Sequence, residues 1–202
     1  MDALVKHVYK GRLPLAVDAH PLTKATLVRL TDEVFAPLAQ THHGRWCWVG
    51  AGDARECIVL EKVFGEYITI DLLEINELAV LEGTTLLRKH QSALRYDAYP
   101  PDVHDVASLL PGTTHVYTVA PAGTEFYAHV LRLACECPTV VRLTMFTRFF
   151  RQIGLTKRVL QKYTTHRTSL CGSNEQWQLL SLTLDASSRE KLLHVGVNGV
   201  SP

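Results

Sequence analysis

Five cysteines and ten histidines are the side chains here best suited to covalent or metal chemistry. Cys47 is flanked by Trp46 and Trp48, and His115 or His129 could serve it as a base. A nucleophilic thiol gains thiolate character at the start of a helix, whereas Gly50-Ala51-Gly52-Asp53 reads as a turn between two strands of a hairpin. The pattern therefore favours a core Trp-Cys-Trp strand over a nucleophile. Cys135 and Cys137 share one face of an extended segment, but no Cys-x-x-Cys or His-x-His pair accompanies them, so buried thiols are expected rather than zinc ligands. His42 and His43 are adjacent, and adjacent side chains on an extended segment diverge. No Gly-rich phosphate loop, Gly-x-Ser-x-Gly elbow, His-Glu-x-x-His helix or dinucleotide fingerprint is present. The sequence thus predicts no catalytic residue, no metal, no cofactor and no small-molecule substrate.

Charge offers a stronger signal. The formal net charge of +1 hides a division along the chain: residues 53–105 hold 11 Asp and Glu against 5 Lys and Arg, while no carboxylate occurs from Cys137 to Asn174. That second stretch carries Arg142, Arg148, Arg151, Lys157, Arg158, Lys162 and Arg167, with His166 beside them. Each cation held near an anionic lipid surface or a phosphate contributes about 1 kcal/mol, less as salt rises. These seven residues are the expected anion-binding site, for membrane or nucleic acid. The acidic stretch could instead cover them within one chain, or pair with them between copies and drive self-association.

The elements that would position these groups read as follows. Residues 4–17 are predicted to be an extended edge strand, and Pro21 to open a helix of about seventeen residues with a broad apolar face. Trp46 to Val49 and Cys57 to Leu60 look like a hairpin, followed by β-rich pieces at Tyr67–Leu72, Leu78–Leu81 and Thr84–Leu87. Tyr96 to Asp105 reads as a loop and Val103 to Leu110 as a short helix. Thr113–Val119 and Glu125–Leu133, separated by Pro121-Ala122-Gly123-Thr124, look like a second hairpin. Residues 139–153 show helical spacing of Leu143, Phe146, Phe149, Phe150 and Ile153, and 157–163 a short helical extension. Thr165–Cys171 and Gln176–Leu184 close the chain as a third hairpin around Gly172-Ser173-Asn174. The expected class is α+β: one domain over 1–185, a mostly antiparallel sheet with helices packed on one side, and a C-terminal short helix and tail over 186–202.

At 202 residues, with 47% hydrophobic and 20% charged, the composition is that of a globular chain rather than a disordered one. No apolar run approaches the roughly 18–20 residues of a membrane span, and the first residues lack a secretory apolar stretch. The odd cysteine count and the lack of an Asn-x-Ser/Thr acceptor suit a reducing compartment, so secretion is not expected.

The order of features resembles the matrix proteins of rhabdoviruses and related negative-strand RNA viruses. The match runs through the Pro21–Ala39 helix, the Trp48-Val49-Gly50-Ala51-Gly52 piece leading into Glu56–Phe64, the Phe-rich segment ending Ile153-Gly154-Leu155, and Gln176-Trp177-Gln178-Leu179-Leu180. The Lys-rich N-terminal arm and Pro-Pro-x-Tyr motif of that family have no counterpart here. The resemblance implies a non-enzymatic virion protein in host cytoplasm, peripheral to membrane, that self-associates and bridges an anionic membrane surface and the viral ribonucleoprotein. The seven cations would take the place of the missing arm. Two other readings stand beside it: an RNA-binding viral accessory protein acting as a silencing or interferon antagonist, with Tyr163 and His166 stacking on bases, and a papain-like leader protease using Cys47.

Overall fold

A computed structural model describes residues 1–10, 24–74, 76–94, 108, 110–119, 124–147, 164–171 and 176–198. The chain divides into two compact units, Met1–Val103 and His104–Pro202.

The first unit begins with a helix, α1 (Asp2–Val8), where a strand was expected; residues 11–17, which carry the alternation behind that expectation, lie outside the described residues. Val5 and Val8, one turn apart, are its buried face. The helix expected to open at Pro21, itself outside the described residues, is present from Lys24 as α2 (Lys24–Leu30), a π-helical turn (Thr31–Phe35) and α3 (Ala36–Thr41). Pro37 has no N–H to give the carbonyl four residues back, and the wider turn ends just before it. Leu27, Leu30, Val34, Phe35 and Leu38 form the buried face, and the Phe35 ring lies 5.7 Å from that of Trp48.

β1 (Gly44–Val49) and β2 (Ile68–Leu73) pair in parallel, in register from Gly44 with Ile68 to Val49 with Leu73. Parallel neighbours need a crossover, and α4 (Arg55–Phe64) supplies it. The expected Cys57–Leu60 strand is therefore the middle of a helix. All four residues are buried, and a short apolar run of that kind looks the same in a buried strand and a buried helix. The β-rich pieces at 78–81 and 84–87 are likewise one helix, α5 (Glu77–Lys89), started by the Asn76 side chain, which accepts from the N–H groups of Leu78 and Ala79. Ala79, Gly83, Leu86 and Leu87 are its buried positions.

The second unit repeats the β-α-β pattern. β3 (Thr113–Val119) and β4 (Arg142–Thr147) are parallel, with α6 (Thr124–Glu136) between them. The 113–133 hairpin is thus a strand and a helix, and 142–147 of the expected Phe-rich helix is a strand. The closing hairpin is present as β5 (Thr164–Cys171) and β6 (Gln176–Thr183), followed by α7 (Ala186–Asn198). β6 is antiparallel to both β4 and β5, so strands run β3-β4-β6-β5 with β6 alone reversed. The architecture is α/β with predominantly parallel strands, not a mostly antiparallel α+β sheet. Among the described residues no helix is long and apolar enough to cross a membrane.

One arginine ties the second unit's helices together. Arg189 on α7 donates to the carbonyl oxygens of Ala134, Cys135, Cys137, Val140 and Leu184, closing off the C-terminal end of α6. Asp185 and Ser188 exchange side-chain to backbone hydrogen bonds at the start of α7. Those bonds hold the exposed Asp185 carboxyl below its ordinary pKa.

Candidate functional site

β1 ends in the buried run Trp46, Cys47, Trp48, Val49 and delivers the chain into Gly50-Ala51-Gly52-Asp53-Ala54 before α4 begins. The N–H groups of Gly50 and Ala51 both donate to Leu73 O at 2.9 Å, which pins this loop to the C-terminal end of β2. Gly50 (φ 80°) and Gly52 (φ 55°) occupy left-handed backbone, where a side chain is strained. A Cβ built on Gly52 would meet no atom within 4 Å, so open space lies above the loop there. Ala54 is also left-handed, with φ 61°, at the residue that caps α4. A non-glycine residue in that region costs about 1–2 kcal/mol, and such strain is characteristic of functional turns.

The residue after β2 completes the geometry. Glu74 Oε2 accepts the Gly52 N–H at 2.8 Å, and Glu74 Oε1 accepts the Asn76 N–H at 2.9 Å. One carboxylate thus bridges the glycine loop after β1 and the start of α5 after β2, 22 residues beyond Gly52. Both oxygens keep lone pairs for further donors. An acid about 20 residues beyond a glycine turn, at the end of the next parallel strand, is the arrangement that takes ribose hydroxyls in nucleotide-binding α/β folds.

Beneath the loop lies a buried charged cluster. Arg55 Nε reaches Asp53 Oδ1 at 2.9 Å and Oδ2 at 2.7 Å, and a second guanidinium nitrogen pairs with the same carboxylate. Burial works against the Arg55 charge, yet the hydrogen bonds and charge of Asp53 outweigh it and raise its pKa. Tyr9, just after α1, donates from its hydroxyl to Glu56 Oε1 at 3.4 Å, and the Arg55 guanidinium carbon sits 5.0 Å from the centre of the Tyr9 ring. Burial and then the Glu56 charge push the Tyr9 phenol far above its ordinary pKa.

The residues singled out from sequence are distributed differently. Cys47 is fully buried in β1, and burial followed by the Asp71 charge pushes its thiol up to about 12, the opposite of an activated nucleophile. His115 is buried in β3, its Nε2 2.9 Å from Thr144 Oγ1, which lies 3.2 Å from Ser181 Oγ, while His129 is on α6. Cys135 is buried near the end of α6 and its thiol is raised to about 11, mainly by burial. Among the described residues no group of three His, Cys, Asp or Glu could hold a metal. Of the seven cations, Arg142 begins β4, where burial lowers its pKa, and Arg167 lies in β5 opposite Leu180. Arg148, Arg151, Lys157, Arg158 and Lys162 lie outside the described residues, as does Tyr163. The site itself, Gly50, Gly52 and Glu74, was not among the sequence-predicted residues. Its signal was a Gly-x-Gly turn flanked by apolar runs with an acid at the end of the next one, without the third glycine of the full fingerprint.

No protein-family model matches the sequence, and no curated protein sequence matches it. Solved structures do. The methyltransferase domain of METTL16 with its N-terminus removed superposes with TM-score 0.66 at 8% identity, over 91% of this chain and 93% of that one. Human methyltransferase 10 domain-containing protein superposes with TM-score 0.63 at 11% identity, over 90% and 94%. The chain has the Rossmann-like fold of methyltransferases. TrmK from M. capricolum, solved with its cofactor product S-adenosyl-homocysteine, superposes with TM-score 0.53 at 7% identity over 74% of this chain and 67% of that one. These neighbours overturn the matrix-protein resemblance, and with it the reading of a virion structural protein. The RNA-silencing and leader-protease readings fall with it, as does the expectation that the chain is not an enzyme. They also replace the partners expected from that resemblance, itself, a lipid surface and viral ribonucleoprotein, and remove the ground for excluding a small-molecule ligand. The physical reason is topological: the features matched to the matrix fold were read as antiparallel hairpins, and two of those three are β-α-β crossovers.

Proposed function

We propose that this chain is an S-adenosylmethionine-dependent methyltransferase. The observation that carries the reading is the Glu74 carboxylate, fixed by the Gly52 and Asn76 N–H groups at the C-terminal ends of two parallel strands. The residues present fit that cofactor. Glu74 has acceptor capacity left for two ribose hydroxyls, and the space above Gly52 admits a ligand where any side chain would intrude. The same topology can bind dinucleotides, whose pyrophosphate sits at a helix N-terminus. Here the start of α4 carries the buried Asp53–Arg55 ion pair and Glu56, a net negative charge that disfavours a phosphate. Residues 50–56 carry Asp53 and Glu56 against Arg55, and Glu74 adds a further carboxylate, a balance suited to a cationic, phosphate-free ligand.

When bound, the cofactor supplies an electrophilic methyl group on a positively charged sulfur. The chain's own part is to bind and orient: Glu74 holds the ribose, and the left-handed loop, whose Gly50, Ala51 and Gly52 N–H groups are donated to Leu73 O and Glu74, leaves open space for the ligand at Gly52. Isothermal titration is the test. S-adenosylmethionine should bind with a Kd near 1 μM, about −8 kcal/mol, while NAD should not bind. Absence of S-adenosylmethionine binding at about 1 mM, or tighter binding of NAD, would overturn the proposal.

A further inference from the structure

The loop after β1 is gripped from two sides. Glu74 holds Gly52 from the end of β2, on the side where a ligand would lie. The second grip comes from Tyr9, whose side chain has no role in the cofactor contacts proposed above. The geometry points to Tyr9 as a positioning residue for the cofactor loop: its hydroxyl held on Glu56 and its ring facing Arg55, it fixes the Asp53–Arg55 pair and so the turn through Ala54, making α1 a determinant of cofactor affinity. This rests on the function proposed above.

The physical chain is short. α1 is anchored by Val5 and Val8, both buried, and packs on α2 and α4. Its last carbonyls and Tyr9 are fixed by the Tyr9 N–H bond to Val5 O at 3.0 Å. The Tyr9 ring then confines the Arg55 guanidinium from one side, while both oxygens of Asp53 confine it from another. An arginine held so restricts Asp53, the residue between Gly52 and Ala54. Ala54 is strained, so nothing in its own backbone preference keeps the turn in place. The surrounding cluster must do so. A guanidinium facing a ring in a desolvated place is worth enough to matter for binding, and the loss of that contact corresponds to about a tenfold change in an equilibrium constant.

The experiment compares wild type with Tyr9→Leu and Tyr9→Phe by two readouts: titration with S-adenosylmethionine, and amide hydrogen exchange of residues 50–55 without any ligand. Tyr9→Leu should raise Kd about tenfold and speed exchange in the loop. Tyr9→Phe keeps the ring and should stay within about threefold of wild type. Should Tyr9→Leu not fold, Tyr9→Met, which fills the space without a ring face, carries the same expectation. Unchanged Kd and unchanged loop exchange in the Leu or Met variant would overturn the inference. A Phe variant as impaired as the Leu variant would overturn the ring contact with Arg55 as the source of the hold and assign it to the Tyr9–Glu56 hydrogen bond. If wild type itself binds no S-adenosylmethionine, the proposed function fails, and the ligand-free exchange comparison still decides whether Tyr9 holds the loop.

Discussion

Replacing Glu74 by Gln changes one oxygen to an NH2 group and removes the charge, with almost no change in volume. The two carboxylate oxygens each accept a main-chain N–H, from Gly52 at 2.8 Å and Asn76 at 2.9 Å. An amide has one acceptor, so whichever way it turns, one of those N–H groups faces a donor. A hydrogen bond to a charged acceptor is worth about 1.5–3 kcal/mol, and Glu74 is half-buried, so water compensates part of the loss. A stability decrease of about 1–2 kcal/mol follows, a few degrees in Tm. Cofactor affinity should fall further, because the ribose loses an ionised acceptor and the loop loses its anchor: about 2–3 kcal/mol, or roughly 30–150-fold in Kd. Calorimetric titration of both proteins with S-adenosylmethionine, well below the Tm of the variant, reads this directly. Glu74→Asp, one methylene shorter, should not span both N–H groups and should behave like Gln. A Glu74→Gln protein that binds the cofactor within twofold of wild type would refute the reasoning.

Other perturbations have outcomes set by the same geometry. Ala54→Gly relieves left-handed strain of about 1–2 kcal/mol while adding some unfolded-state entropy, so thermal melts should show a net gain of about 0.5–1 kcal/mol with cofactor binding retained. Arg189→Ala strips donors from five carbonyl oxygens around the end of α6; even if water reaches most of them, denaturant titration should show a loss of about 2–4 kcal/mol. His90 stands edge-on to His7 with ring centres 5.2 Å apart, and burial, then His7, Lys89 and Lys62, lower its pKa from 6.5. A histidine with a depressed folded-state pKa takes up fewer protons folded than unfolded, so stability should be full above pH 6.5 and fall as pH drops below it. His90→Gln should flatten that part of the Tm profile.

The fold was legible where one face of an element is covered and turn chemistry marks its ends. The 24–41 helix has a continuous apolar face, and β1, β2, β5 and β6 stood out by β-branched and aromatic content. Elements covered on more than one side were misread. Cys57 to Leu60 on α4 are all buried, and Leu143, Thr144 and Met145 on β4 are buried in succession, so neither shows the period that separates helix from strand. In β4 the helical spacing of the phenylalanines misled, while the His115–Thr144–Ser181 chain, which places polar groups on a buried sheet face, is a tertiary feature. α5 was recoverable, since Asn76 and Glu77 start it and Arg88 and Lys89 end it.

The site was half visible. Gly50-Ala51-Gly52-Asp53 declared a turn, but a turn into a strand and a turn into a helix share that sequence, and the assignment of α4 decided between them. With Arg55 where the third glycine of Gly-x-Gly-x-x-Gly would fall, the turn carried no phosphate-loop signal. Glu74 showed only as an acid ending the next apolar run; its partner lies 22 residues away, and the parallel pairing that brings them together has no signal in either segment alone. Charge segregation, the strongest linear signal, pointed to Arg142 and the cations after it, whereas the acids within 53–105 include those that shape the site.

The most direct measurement is amide hydrogen exchange of the intact chain with and without saturating S-adenosylmethionine. Protection should rise together in the two peptides covering 49–56 and 73–78, which Glu74 joins. Absence of protection in both, or protection confined to residues elsewhere in the chain, would contradict a cofactor site at the ends of β1 and β2.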